Sequence, residues 1–572
     1  MPRRIPYAVA NYEKIVVENY HFVDKTRFIH ELEHYEIPVF LRPRRFGKSL
    51  WCSILECYYD LQRADRFEEL FGSTEIGRKP TPNKNKWLVL RFDFSTVQLE
   101  EKMEDLELRF NRNCSSSFRI FLNQYQAYFS DKVVIEADGS ATENLERILE
   151  MVQGAGIPPI MVIVDEYDNF TNQLLTTRQD QLYSQLTTGD SFLRTFYKTL
   201  KAGIGQGRIA KVFITGVLPV TMDDLTSGFN IGQIITLEEN TLAMMGFTQS
   251  ELDTYVDEIF ADNGWGASLR KKVGEELKIH YNGYRFLPEA ESLYNSTICN
   301  HYLNKLSIAN GKIPRERIDQ NLKVDINWLR RLGGESTGEL VDQLLTEGTL
   351  PADMNLFHSQ FNREKFVQPE FFPMSLFFLG LLSFQDRYAL RFPNLTVKTL
   401  FIEYFNELMN IKVSSGYTDM CRAFLKDHDW KALFAGYWER YVGQIPAQAF
   451  DKANENFFRT TFYEICQRYL DDKLSFAIEV NRSKGRSDFE AHGKPGSAFE
   501  GQAWVAEFKH FSKEQAKRTG VETWKEPRPE DVQQVKNYAV GLEIDHPELK
   551  AKCLVIYTIS SGAFRCFEVS HD

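Results

Sequence analysis

Four short runs of nearly uninterrupted apolar residues, separated by helical stretches, constrain the first 240 residues more than any other feature. They are Ile37-Pro-Val-Phe-Leu41, Trp87-Leu-Val-Leu-Arg-Phe-Asp-Phe94, Ile160-Met-Val-Ile-Val164 and Val212-Phe-Ile-Thr-Gly216. A strand that is apolar throughout has to be covered on both faces, and short strands alternating with helices give a parallel sheet between helical layers. Prolines and asparagines in Pro80-Thr-Pro-Asn-Lys-Asn-Lys86 mark the loop that opens the second run. From 241 to 440 the pattern changes to amphipathic helices, such as 249–261 and 397–409, with polar breaks such as Ala309-Asn-Gly-Lys-Ile-Pro314. From 441 strands return at 475–480, 503–509, 553–558 and 564–569, with a helix around 531–540 between the second and third. The expected fold class is therefore α/β multidomain, with domains at 1–240, 241–440 (a helical lid or linker) and 441–572.

Composition narrows the functional classes. The chain has 572 residues, 43% of them hydrophobic, with 44 Phe, 25 Tyr and 8 Trp, which is material for several packed cores and not for a disordered chain. Lys plus Arg number 68 against 79 Asp plus Glu, a net charge of −11, so any nucleic-acid contact has to be local. The longest apolar run, Ile157 to Val164, is too short to span a bilayer, and the N-terminal residues lack the apolar stretch of a signal peptide. The eight cysteines form no C-x-x-C pair, which argues against disulfides and structural zinc and for small core side chains. These features predict a reduced intracellular protein, cytoplasmic or nuclear, with no membrane partner. Self-association into a homo-oligomer is compatible with them.

Strand, then Leu41-Arg-Pro-Arg-Arg-Phe-Gly-Lys-Ser-Leu50, then helix is the context of a phosphate-binding loop. Gly47 lets the backbone approach a phosphate at a helix N-terminus, Lys48 reaches the outer phosphates, and the Ser49 hydroxyl suits Mg²⁺. The first glycine of the usual pattern is replaced by Arg42, and Gly-Lys-Ser between a strand and a helix also occurs as an ordinary turn. The second half lies in Val162-Ile-Val164 running into Asp165-Glu166. Carboxylates at the end of a buried parallel strand face the ligand crevice, where Asp165 is expected to hold the Mg²⁺ shell and Glu166 to orient or deprotonate the attacking water; the other reading is a strand that ends in a charged turn. Thr215, ending the next strand, reads either as a sensor of the γ-phosphate or as a plain strand-end hydroxyl. The expected cofactors are ATP, or another NTP, and Mg²⁺.

A second constellation stands near the C-terminus. Glu479 ends one strand, Gly485-Arg-Ser-Asp488 opens the next, and Glu507-Phe-Lys509 closes a third. Alternation puts Glu507 and Lys509 on one face of their strand and Phe508 on the other. Two acids brought together repel unless a divalent cation joins them, so Asp488 and Glu507 are expected metal ligands, with Lys509 orienting water or stabilising developing charge; Glu479 is expected as a further ligand. A surface strand with a Glu/Lys pair two apart is also common. Gln534 and Tyr538 on the following helix favour a site over that surface pair; the basic residues Arg482, Lys484, Arg486, Lys513, Lys517 and Arg518 read either as phosphate-neutralising patches or as a solvated loop, and residues 441–572 carry 18 Lys/Arg against 20 Asp/Glu.

Taken in order, these stretches resemble AAA-ATPase-like proteins with a C-terminal PD-(D/E)XK nuclease domain. The resemblance rests on Arg42-Pro-Arg-Arg-Phe-Gly-Lys-Ser-Leu50, Val164-Asp-Glu-Tyr-Asp168, Thr215-Gly-Val-Leu-Pro-Val220, Ser227-Gly-Phe-Asn230, Tyr281-Asn-Gly-Tyr-Arg-Phe286, Tyr294-Asn295 and Glu479…Gly485-Arg-Ser-Asp488…Glu507-Phe-Lys509. Glu455 falls where that family has a helix acid before its core strands, and residues 300–440 carry only faint motifs. The resemblance implies a P-loop NTPase sheet, a helical middle and a restriction-endonuclease-like C-terminal domain. It also implies an NTP-regulated, Mg²⁺-dependent nuclease on DNA or RNA, with Glu166, Asp488, Glu507 and Lys509 catalytic; the rival expectation is an ATP-dependent switch or scaffold that binds nucleic acid or a partner without cutting.

Overall fold

The computed structural model describes residues 2–129, 134–154, 156–177, 179–225, 231–314, 335–357, 359–366, 368–412, 416–560 and 562–570. The motif at 227–230 lies outside them. The chain divides into two compact units, one of Met1–Gly333 with Pro351–Leu395, the other of Gly334–Leu350 with Thr396–Asp572. The helices between 241 and 440 are shared between these units.

In the first unit the apolar runs form β1 (Pro38–Leu41), β2 (Leu88–Asp93), β3 (Ile160–Asp165) and β4 (Ile209–Gly216), with a two-residue edge strand β5 (Gln233–Ile234). The sheet order is β2-β3-β4-β1-β5 and every neighbouring pair is parallel. All six residues of β3 are buried, as a strand covered on both faces requires. Helix α1 (Lys48–Tyr59) packs against β3, α2 (Met103–Gln124) against β2 and α3 (Phe192–Gly205) against β4. Strand β4 begins three residues before the apolar run that marks it in the sequence. It includes Lys211, whose stem is buried while its ammonium donates to the Tyr35 carbonyl, so a lysine here is compatible with a strand interior. A short antiparallel pairing of Ser383–Phe384 with Ala389–Arg391 interrupts the region expected to be helical.

The second unit holds α4 (Leu395–Leu408), α5 (Glu455–Leu470), β6 (Leu474–Arg482), β7 (Gly485–Gly493), β8 (Gln502–Phe511), α6 (Pro529–Asp545), β9 (Lys550–Ile559) and β10 (Ala563–Val569). Its sheet runs β10-β9-β8-β7-β6 and is mixed, with β8 and β9 parallel and the other pairs antiparallel. Strand β8 is covered on both sides. Ala503 and Val505 pack with Val535, Ala539 and Leu542 of α6, while Phe508 faces Phe434, Phe462 and Phe489. All eight cysteines are buried free thiols. No helix among the described residues is long and apolar enough to cross a membrane.

Candidate functional sites

The loop between β1 and α1 is built around a buried arginine. Arg42, 1% exposed, donates to the carbonyls of Leu41, Thr236 and Leu242 at 3.0, 3.0 and 2.9 Å, and its guanidinium lies 4.3 Å from the Phe40 ring and 3.8 Å from that of Phe286. The residue at the first-glycine position thus anchors the loop. Phe46 packs edge-on against Tyr284 and Phe286. The Asn295 amide donates to the Arg44 carbonyl at 3.2 Å and the Thr297 N–H to that of Arg45 at 3.1 Å. The motifs at 281–286 and 294–295 therefore scaffold the loop from the far side of the sequence.

Gly47 has φ +91° and caps α1, a left-handed conformation that favours glycine. Lys48 is buried and its ammonium donates to the carbonyls of Arg42 and Pro43 at 3.1 and 3.2 Å. Burial lowers its pKa against the pull of Glu166, Asp168 and Asp165. Gly47, Lys48, Ser49 and Glu166 line one cavity of about 260 Å³, whose remaining walls include Val9, Phe22, Trp51, Met245 and Phe247. Glu166 sits just past β3 with φ +51°, strained for a residue with a Cβ, and burial raises its pKa. Asp165 is 1% exposed; Arg91 of β2 reaches its Oδ2 at 2.9 Å, and its Oδ1 has no hydrogen-bond partner.

Two further residues are tied into the scaffold. The Thr215 hydroxyl donates to the Phe40 carbonyl at 2.8 Å, a link between β4 and β1. Asp168 accepts from the backbone N–H groups of Val217 and Leu218 and from the Asn172 amide, which locks the 164–168 turn to the end of β4.

In the second unit Asp488, Glu507, Lys509, Glu455 and Tyr538 come together. Pairing of β7 with β8 begins at Phe489 with Ala506, and just before it Asp488 accepts the Phe508 N–H at 2.9 Å through Oδ2. Its Oδ1 accepts from Arg459 at 2.7 Å. Glu507 is 1% exposed, and neither of its oxygens has a hydrogen-bond partner of good geometry, although the Lys509 ammonium stands 2.5 Å from Oε1. Burial and the Asp488 carboxylate push the Glu507 pKa up to about 8, against the pull of Lys509. Burial lowers the Lys509 pKa less than Glu507, Glu455 and Asp488 raise it. Glu455, the first residue of α5, has its pKa raised by burial and by Asp488.

Glu479 stands apart from this pair of acids: its Oε1 lies 2.6 Å from Arg459 and 2.7 Å from Arg486, and its backbone has φ +57°. Among the described residues no three His, Cys, Asp or Glu side chains are placed to hold a metal ion together. Asp488 and Glu507 are nevertheless a fit for a hard cation, because among the described residues Glu507 Oε2 is buried without a donor while Lys509 stands at Oε1. Glu490 is the contrast. It is fully buried, yet His492 and Arg482 hold its pKa at about 2 against the effect of burial, so its charge is satisfied structurally.

Some groups carried no sequence signal. Arg459 lies one helical turn after Glu455 in an apolar stretch, and its role depends on β6 and β7 being beside α5. His510, next to Lys509 in the chain, is tied to Thr558 and Ser560 at 2.9 Å each, and burial takes its pKa down to about 4. Tyr538 accepts from Gln534 at 2.5 Å, and its ring would lie 2.7 Å from a Cβ on Gly485 (φ +137°), so only glycine fits there.

The first unit thus has a parallel sheet with a Gly-Lys-Ser loop, and the second a mixed sheet that carries Asp488 and Glu507 on neighbouring strands. Residues 6–226 match the family model described as a predicted AAA-ATPase, and residues 453–568 match that of the PD-(D/E)XK nuclease superfamily. Among solved structures the chain is similar to the Walker-type ATPase PABY2304 of Pyrococcus abyssi, at 13% identity and a TM-score of 0.39, over 67% of this chain and 96% of that one. No curated protein matches the sequence. The chain thus carries an AAA-ATPase-like domain and a C-terminal PD-(D/E)XK nuclease-superfamily domain.

Proposed function

We propose that the protein is an NTP-regulated, divalent-metal-dependent nuclease that hydrolyses phosphodiester bonds of DNA or RNA. The observation that carries the reading is Glu507: a buried carboxylate beside Asp488, with the Lys509 ammonium at one oxygen and, among the described residues, no donor at the other. Asp488 and Glu507 would hold a Mg²⁺ that offsets their repulsion, and the ion would supply Lewis-acid polarisation of the phosphodiester. Lys509 holds the attacking water and neutralises charge that develops on the phosphate. Asp488 is fixed for this task by the Phe508 N–H, which leaves its position independent of side-chain motion.

For the first unit, ATP with Mg²⁺ fits the Lys48 loop, Ser49 and Oδ1 of Asp165, which has no hydrogen-bond partner among the described residues, with the nucleobase in the cavity that Lys48 and Ser49 line. Glu166, with its raised pKa, serves as the base that takes a proton from water. Thr215 supports the loop through the Phe40 carbonyl.

The test is incubation of full-length protein with plasmid DNA and with RNA, in Mg²⁺ or Mn²⁺, with and without ATP. Cleavage that is lost in Asp488→Asn supports the nuclease. Protein that binds nucleic acid and cuts nothing under all of these conditions is a switch or scaffold instead, a reading favoured by one feature, the occupation of both Asp488 oxygens by donors.

A further inference from the structure

Beside the carboxylate pair, three cations, Arg459, Lys398 and Arg486, gather around Glu479. Arg459, 6% exposed, donates to Asp488 at 2.7 Å, to Glu479 at 2.6 Å and to the Asn456 amide oxygen at 2.9 Å, while its Nε is buried without a partner. Lys398 of α4 is 7% exposed, and among the described residues its ammonium bonds only that same Asn456 oxygen, at 3.4 Å. Arg486, 57% exposed at its side chain, reaches the Glu479 oxygen that Arg459 holds. One carboxylate oxygen shared by two guanidinium groups, with a poorly bonded buried ammonium alongside, is the arrangement that receives a phosphate oxygen. A buried ammonium without good partners is disfavoured, and Lys398 shows it: burial, opposed by Glu479, takes its pKa down to about 8.

We propose that Lys398, Arg459 and Arg486 form a binding site for one backbone phosphodiester of the nucleic acid, and that Glu479 holds the place of that phosphate until the strand arrives. The site rests on the nuclease reading for its polynucleotide, and it assigns Glu479 to a counter-charge in place of the metal-ligand role expected from the sequence. The strained backbone of Glu479 fits a side chain that has to be released from the cluster on binding.

Binding is measured in EDTA, where no cleavage intervenes, with a fluorescent oligonucleotide and full-length protein, and folding of each variant is checked by thermal melting. Lys398→Met with Arg486→Ala is expected to weaken binding by roughly tenfold and to lower the slope of log affinity against log salt by about one, the share of one phosphate. Glu479→Gln is expected to tighten binding several-fold and to leave the Mg²⁺ midpoint of cleavage in place. The proposal is overturned if Glu479→Gln shifts that midpoint while oligonucleotide affinity stays the same, since Glu479 is then a metal ligand. It is overturned equally if the double variant loses competition by inorganic phosphate and keeps its oligonucleotide affinity, because the site then takes a free anion. Inert wild type in Mg²⁺ removes the nuclease reading alone, since the binding in EDTA is read separately.

Discussion

The Asp168 carboxylate occupies the space that a side chain on Gly216 would need: a Cβ there would lie 2.4 Å from Asp168 Oδ1. The turn after β3 and the end of β4 are thereby fitted to one another, with the Val217 and Leu218 N–H groups donating to Asp168. Gly216→Ala is expected to displace the carboxylate and to destabilise the first unit by about 1–3 kcal/mol, the range for overpacking a closed core. Asp168→Ala, which orphans two buried N–H groups, is expected to do so by at least as much. Chemical denaturation followed by tryptophan fluorescence measures both, and wild-type stability in either variant would contradict this reading of the turn.

At the nucleotide site, Lys48→Ala is expected to weaken ATP binding, and Glu166→Gln to retain binding while slowing hydrolysis by about 10²-fold or more. Calorimetric titration of ATP and a phosphate-release assay separate the two effects. Equal ATP affinity in wild type and Lys48→Ala would refute the loop assignment.

Asp488→Asn and Lys509→Ala are each expected to reduce cleavage on the order of 10²-fold or more, through a lost ligand and a lost charge respectively. Only the first should lower Mg²⁺ affinity. ATP binding should survive in both, since these residues belong to a different compact unit from Lys48. The comparison needs cleavage rates at several Mg²⁺ concentrations and ATP titrations on the same preparations.

The raised Glu507 pKa sets a pH dependence. A carboxyl whose folded pKa is about 8, against an ordinary value of 4.5, binds its proton more tightly in the folded chain. The stability it contributes is complete below pH 4.5 and is lost as pH rises towards 8. In EDTA, wild type should therefore lose stability relative to Glu507→Gln between pH 5 and 8. Mg²⁺ binding at pH 6.5 should release a proton from the pair, approaching one per site, and this release should vanish in Glu507→Gln. Titrations in buffers of different ionisation enthalpy report it, and equal proton release in the two proteins would count against the assignment.

Alternation alone placed Glu507 and Lys509 on one face and Phe508 on the other, because the period of a strand is fixed by its backbone. The apolar runs located β1 to β4 and most of the second sheet, since uninterrupted apolar residues leave few arrangements besides a covered strand. Motif order likewise pointed to Lys48, Asp165 and Glu166, whose shared surroundings are seen in the opposing charges around Lys48. Arg42 was legible only as a departure from a pattern. Its use as an anchor depends on Phe286 and on the carbonyls of Thr236 and Leu242, nearly 200 residues or more away.

The sequence by itself determined the local periodicities and the order of the two clusters of candidate residues, since these depend on residues within a few positions of each other. The tertiary structure decided which charges are partnered. Glu479, Glu490 and Glu507 are all glutamates on neighbouring strands, yet one faces two arginines, one is neutralised by Arg482 and His492, and one is buried with Lys509 at one oxygen and, among the described residues, no donor at the other. Electrostatic character depends on burial and on partners brought in from other elements, and no local window of sequence contains those distances.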